Sequence, residues 1–121
     1  MSDYLHSLDE SDEYWSEEGC FILELANAAA DESCSIARAR VPAGGSTRPH
    51  ALLNTIERYV ILEGSGLVEI DGLSPETVSR YDVVQIPADV SQKITNAGDT
   101  DLVFLCICTP RFQQACYVEL G

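Results

Sequence analysis

The stretch GGSTRPHALLNTIERYVILEG, residues 44–64, carries the pattern that decides the fold of this 121-residue chain. Its first half combines glycine, proline and small polar residues, which is typical of a loop. Its second half, residues 56–63, is rich in β-branched and aromatic residues, which predicts a strand. His50 and Glu57 place two chemically active side chains in it. The stretch therefore indicates either a metal site that lacks a ligand or a loop and strand that never held a metal.

Short β-rich segments recur along the chain after residue 20, and turn-forming residues separate them. Glycine, proline and aspartate dominate the connections, whereas helix signals are weak. Regularly spaced short strands favour an antiparallel sandwich or barrel over a parallel sheet with crossovers. The predicted strands are residues 20–25, 35–41, 56–63, 66–71, 82–87, 92–97 and 102–109.

Two connections refine this prediction. Residues 62–72, LEGSGLVEIDG, predict a β-hairpin in which glycine supplies the positive φ that a tight connection requires. Pro87 predicts the end of a strand, because proline cannot donate a hydrogen bond to a central ladder. We therefore expect a small barrel with one long loop at its mouth, around residues 42–55.

The charge of the chain is strongly negative, with 20 acidic against 7 basic residues and a net charge of −13. A phosphate backbone would be repelled, so we predict that nucleic acid is not a partner. Residues 1–18 hold seven of the acids and no Lys or Arg. We predict an acidic N-terminal arm over residues 1–18, which Tyr14 and Trp15 could attach to the domain or to a second subunit, and a barrel over residues 19–121.

The chain has no run of about 18 apolar residues that could cross a membrane. Its N-terminus is acidic where a signal peptide would be basic and then apolar. We therefore predict a cytoplasmic protein with no membrane partner. The cysteines are odd in number and show no Cys-x-x-Cys spacing. Cys106 and Cys108, two apart in an apolar run, are predicted to share one face of a strand as core side chains.

Two motifs, in order, resemble those of the cupin superfamily. The first family motif runs Gly, five residues, His-x-His, three or four residues, Glu, six residues, Gly. In this chain the same spacing is filled by Gly44, His50, Leu52, Glu57 and Gly64.

The second family motif runs Gly, five residues, Pro-x-Gly, two residues, His, three residues, Asn. In this chain the same spacing is filled by Tyr81, Pro87, Asp89, Gln92 and Asn96. The resemblance implies an all-β fold, the double-stranded β-helix (jelly-roll or cupin) barrel.

The resemblance also implies a metal site, because in the family two histidines and the glutamate of the first motif join the histidine of the second around a divalent metal. The corresponding positions here are His50, Leu52, Glu57 and Gln92. Leucine cannot ligate a metal, and glutamine offers a neutral amide oxygen. The resemblance therefore implies a depleted site of His50, Glu57 and Gln92, for which zinc, nickel, iron and manganese are all candidate metals.

A metal-free interpretation stays open beside it. His50, Glu57 and Gln92 could form a buried cluster in which they and Tyr59 satisfy one another's hydrogen bonds. In a functional version of that cluster, His50 and Glu57 act as acid and base on a carbonyl or sugar ligand. The candidate catalytic residues are therefore His50, Glu57 and Tyr59.

Two functions follow from these interpretations. The first is an enzyme of the dioxygenase, isomerase or lyase type that acts on a small polar metabolite. The second is a non-catalytic module that binds a small molecule in a metal-free polar pocket. The fold hosts both kinds of protein. Because residues 102–109 are apolar on both faces of a predicted strand, we also expect a homodimer that covers them.

The arginines leave further alternatives. Arg38 and Arg40 lie on one face of a predicted strand, where they either line the pocket or pair with the acidic arm. Arg48, in the predicted mouth loop, either binds an anionic substrate or is solvated.

Overall fold

The computed structural model describes residues 4–121; residues 1–3 of the predicted arm lie outside the described residues. Within this range the chain forms eleven strands and two short 3₁₀ helices, Glu10–Asp12 and Gln114–Cys116. None of the helices in residues 4–121 has the length and apolar character needed to cross a membrane. The strands are β1 Tyr14–Ser16, β2 Cys20–Ala26, β3 Ser35–Val41, β4 His50–Leu52, β5 Ile56–Glu63, β6 Gly66–Ile70, β7 Glu76–Val78, β8 Val83–Ile86, β9 Gln92–Asn96, β10 Leu102–Thr109 and β11 Tyr117–Glu119.

The strands form two antiparallel sheets. The first sheet has the order β1-β2-β3-β10-β5-β8, and the second has the order β11-β4-β9-β6-β7. This architecture confirms the predicted all-β, double-stranded β-helix barrel. All seven predicted strands are present, and their bounds lie within one residue of the prediction at each end.

The core lies between the two sheets because the strands alternate buried and exposed residues. In β5 the buried residues Tyr59 and Ile61 face inward, whereas Arg58 and Val60 point away. A side-chain period of two places every second residue of a strand on the same face. The fully buried apolar side chains come from both sheets and include Leu23, Val41, Ile61, Ile86, Ile94, Leu102 and Phe104.

The predicted hairpin over residues 62–72 is wrong. β5 belongs to the first sheet and β6 to the second, so the connection between them carries the chain across the barrel instead of pairing its neighbours. Gly64 has φ +79°, and a Cβ atom there would lie 2.6 Å from the carbonyl oxygen of Asp101. The glycine is therefore required by this crossing and by the close approach of another chain segment.

The predicted mouth loop contains a strand. β4 lies inside residues 42–55 and pairs with β11 on one side and, through His50 and Gln92, with β9 on the other. A strand of three residues is too short for its pattern to be recognised in the sequence.

The N-terminal segment joins the first sheet through β1, which pairs with β2 in antiparallel register. Ion pairs attach the segment before it: Glu13 contacts the guanidinium groups of Arg38 and Arg40, at 3.1 and 2.6 Å. Arg38 and Arg40 therefore pair with the acidic segment, one of their two predicted alternatives. The division of the chain after residue 18 stays a prediction.

Candidate functional site

A pocket of about 390 Å³ lies between the inner face of the first sheet and the segment that contains β1. Side chains of β2, β3, β5 and β10 form its inner wall, and residues 14–18 form another wall. It is lined by Tyr14, Trp15, Ser16, Glu17, Glu18, Ile22, Glu24, Ser35, Ala37, Leu52, Glu57, Cys106, Cys108, Phe112 and Gln114. Of the predicted site residues, Glu57 is on this wall.

Glu57 is almost completely buried, with 7 % of its surface exposed. β5 positions it opposite Cys108 of β10, whose Sγ donates to Glu57 Oε2 at 3.8 Å. Its other oxygen, Oε1, has no hydrogen-bond partner among the described residues. Burial, together with the charge of Glu18, raises the pKa of the Glu57 carboxyl to about 7. A buried oxygen without a donor is costly, which makes it a point where a ligand can bind.

His50 lies beside the pocket and not on its wall. Its ring is 2 % exposed, and its Nδ1 is 2.6 Å from the backbone oxygen of Arg48. Because that carbonyl can only accept, Nδ1 carries the proton and donates, which leaves Nε2 as a free acceptor. Nε2 is 3.8 Å from Glu18 Oε1, and the ring stacks on Tyr117. Burial lowers the pKa of His50, which favours the neutral imidazole.

Glu18 is a candidate site residue that the sequence reasoning missed. It lines the pocket, and its carboxyl is close enough to raise the pKa of Glu57. Burial, aided by the charges of Glu24 and Glu17, raises the pKa of Glu18 itself to about 7. Nothing in the sequence separates Glu18 from the other acids of the predicted arm. Its role depends on the turn between β1 and β2, which directs it inward.

Tyr59 and Gln92 form a separate pair. The Tyr59 hydroxyl donates to Gln92 Oε1, and both side chains are almost fully buried. The Tyr59 ring packs on Phe104 at 4.6 Å between centroids. Neither residue is among those that line the pocket. The structure therefore brings Glu57, Glu18 and His50 together. Gln92 is close to them, since it is the register partner of His50 and its amide acts to lower the pKa of Glu57.

The donor set does not fit a resident divalent metal. No group of three His, Cys, Asp or Glu side chains within residues 4–121 is arranged to hold an ion. The Gln92 oxygen accepts from Tyr59, and Leu52 occupies the position of a second histidine. Of the four motif positions this leaves two donors, His50 Nε2 and Glu57 Oε1, where a protein site for such a metal normally supplies three or four.

Sequence comparison agrees with the fold. The family model described as Cupin domain matches residues 37–108 of the chain. An uncharacterised protein of Methanocaldococcus jannaschii is 35% identical over 108 residues, which cover 88% of this chain and 86% of that protein.

Solved structures with a similar fold include several enzymes. One is Streptomyces PAC13, a nucleoside dehydratase, in a structure with uridine. Its TM-score is 0.82 at 12% identity, and the alignment covers 99% of this chain and 92% of the PAC13 chain. KdgF from Halomonas sp. has a TM-score of 0.79 at 16% identity, covering 94% of this chain and 99% of its own. A predicted oxalate decarboxylase from Thermotoga maritima has a TM-score of 0.74 at 24% identity, covering 86% of this chain and 98% of its own. At these identities the structural similarity shows the fold alone. The match to the family model over residues 37–108 shows that this chain belongs to the cupin family.

Proposed function

We propose that this cupin is an enzyme that moves a proton on a small polar metabolite bound in the pocket, without a resident metal. The observation that carries the proposal is that Glu18 and Glu57 line one pocket with pKa values of about 7. A carboxyl with such a pKa exchanges protons readily at neutral pH. Isomerase or lyase chemistry, which begins by removing a proton beside a carbonyl, is the reaction class that suits this pair.

The two carboxyl groups have different tasks in this proposal. Glu18, the less buried of the two, takes the proton from the ligand carbon and returns it to a neighbouring atom or to a leaving group. Glu57 orients the ligand, because its unpartnered Oε1 accepts a hydrogen bond from it while Oε2 is held by Cys108. Both groups therefore touch the ligand.

His50 is a positioning residue in this mechanism. The bond from Nδ1 to the Arg48 carbonyl fixes the ring, so that Nε2 faces Glu18 at 3.8 Å. A neutral imidazole at that distance does not pair with the carboxylate as a charge would, and it leaves the Glu18 pKa high. Tyr59 and Gln92 keep the strands below the pocket in register through their mutual hydrogen bond.

Proton exchange from solvent deuterium oxide tests the proposal. Uridine, which was bound in a related fold, and glyceraldehyde, a small carbonyl compound, serve as first probes. The wild-type protein should incorporate deuterium into the probe it accepts, and Glu18→Gln should abolish exchange while retaining binding. Glu57→Gln should weaken binding more than it slows exchange at saturation. Exchange that persists unchanged in Glu18→Gln contradicts the mechanism.

A second candidate function is a metal-free binding module. It is favoured by the position of Tyr59 and Gln92, which are bonded to each other and are not on the pocket wall. Ligand-induced stabilisation without deuterium incorporation or product would support this function over the enzyme.

A third possibility is that the protein binds the divalent metal implied by the family motifs. Elemental mass spectrometry of wild type and of His50→Ala, both purified without a histidine tag, tests for bound metal. Stoichiometric zinc, nickel, iron or manganese in wild type, lost in the variant, would replace the metal-free mechanism.

We also propose a homodimer, formed through the outer face of the first sheet. Leu105, Val60 and Val83 are register neighbours on β10, β5 and β8, and they point away from the core. Val83 is 62 % exposed. An apolar row of this kind on a sheet surface is typical of an interface.

A further inference from the structure

The charges that line the pocket all have one sign. Glu17, Glu18, Glu24 and Glu57 are on its wall, and none of the lining residues in the described part of the chain is Lys or Arg. Glu17 and Glu24 are exposed at the rim, Glu18 is half-buried and Glu57 is buried, so carboxylates extend from the surface to the interior. A cleft lined by one sign of charge concentrates ligands of the opposite sign.

The nearest arginines do not balance these charges. Arg48 pairs with Glu119 at 3.7 Å, and Arg111 pairs with Glu32 at 3.8 Å. Arg40, the partner of Glu13, lies over the ring of Phe21 at 4.2 Å. An anionic ligand would therefore find no cation on the pocket wall.

An independent observation points to a donor on the ligand. Glu57 Oε1 is buried on the pocket wall with no hydrogen-bond partner among the described residues. A carboxylate oxygen accepts hydrogen bonds, and an N–H of a cation is the strongest donor it can find. A bound cation would both satisfy this oxygen and neutralise part of the charge around it.

Aromatic and aliphatic side chains complete the wall. Tyr14 and Phe112 contribute rings, and Ile22 and Leu52 contribute aliphatic surface. Aromatic rings attract cations through their electron-rich faces, and aliphatic surface binds the apolar body of a ligand.

We propose that the pocket selects a small organic cation, an ammonium or guanidinium group on an apolar body, over neutral and anionic ligands of the same shape. The proposal rests on the proposed function, since it names the ligand class of the same site. The cation lies among the four glutamates, donates to Glu57 Oε1 and places its apolar body against the aromatic wall.

Three probes that share a phenylethyl body and differ in its polar end group test the selectivity: 2-phenylethylammonium, 2-phenylethanol and 3-phenylpropionate. Isothermal titration at physiological salt should show that the ammonium binds at least about tenfold more tightly than the alcohol, equivalent to about 1.4 kcal/mol. The carboxylate should bind more weakly than the alcohol. Glu57→Gln and Glu18→Gln should each reduce the preference for the ammonium.

Glu76→Gln is the matched control, because it removes the same charge from an exposed strand of the second sheet. It should retain the full preference, because Glu76 is not among the residues that line the pocket. Thermal melts confirm that each variant is folded. A preference lost equally in Glu76→Gln would mean that the general field of the protein, and not the pocket, attracts the cation, and would overturn the proposal.

Equal or tighter binding of the carboxylate, or no binding of the ammonium, would also overturn the cation proposal while leaving proton exchange on other ligands intact. Selective, Glu57-dependent binding of the ammonium supports it even if no exchange occurs on any probe. That last result would contradict the enzyme and favour the binding module, so the two proposals fail separately.

Discussion

Glu57 is a buried acidic residue with an incomplete set of hydrogen bonds. Its carboxyl is buried against the inner face of the first sheet, and one of its oxygens has no donor. Burying a carboxylate without a cation penalises the charged form, which is the first cause of its raised pKa. The residue therefore costs stability at neutral pH, as is common for groups that serve a ligand.

Glu57→Gln should stabilise the protein at pH 8 and have little effect at pH 4. The folded-state pKa of about 7 exceeds the ordinary value of 4.5, so the folded protein holds the proton more tightly than the unfolded chain. Wild-type stability should therefore fall as pH rises from 4.5 to 7, and the loss is complete above 7. A shift of this size corresponds to about 3 kcal/mol. Urea denaturation at both pH values measures it, and equal stability of wild type and variant at pH 8 would contradict it.

At this scale the sequence predicted part of the site. The cupin spacing led to His50 and Glu57, because motif positions survive as residue types in a fixed order. Glu18 could not be predicted, since its role depends on a turn that directs one of several equivalent acids inward. The bond between Tyr59 and Gln92 was anticipated as one member of a larger cluster, and Glu57, next to Gln92, also faces the pocket.

The length of a strand decides whether the sequence could predict it. Strands of four residues or more were predicted, because alternation and β-branched residues are visible over that length. The missed strands β1, β4, β7 and β11 have three residues each. Their pairing is decided by the neighbouring strands and not by their own residues.

Gly64→Ala and Gly72→Ala should separate backbone strain from collision. Both glycines have positive φ, but a Cβ at Gly64 would lie 2.6 Å from the Asp101 oxygen, whereas at Gly72 nothing lies within 4 Å. Gly72→Ala should cost about 1 kcal/mol from the left-handed backbone alone. Gly64→Ala should cost at least about 1 kcal/mol more, because the crossing between sheets cannot move freely. Urea denaturation measures both, and equal losses would mean that the crossing is free to adjust.

Connections that cross from one sheet to the other organise the whole molecule. The local sequence predicted these crossings less well than it predicted the strands. The turn at Gly64 looks like a hairpin because glycine permits both a tight hairpin and a crossing. Choosing between them requires the partners of β5 and β6. β5 pairs with β10 and β8, and β6 pairs with β9 and with β7, the strand that follows it in the chain.

Val83→Glu should disrupt the proposed homodimer. A carboxylate in the apolar row of Leu105, Val60 and Val83 would be desolvated opposite its own symmetry mate. Leu73→Glu, at an equally exposed position outside that sheet, is the control for the added charge. Light scattering at micromolar concentration should show dimers for wild type and for Leu73→Glu, and monomers for Val83→Glu. A monomeric wild type would contradict the interface.

Trp15 is the single tryptophan of the chain, and its ring packs edge-on against Phe21 at 5.0 Å, which joins β1 to β2. An indole in this position is a built-in optical reporter. Its emission intensity and wavelength depend on the polarity around the ring, so separation of β1 from β2 would change the signal without any label. Because residues 14–18 form one wall of the pocket, the same emission reports whether that wall is in place.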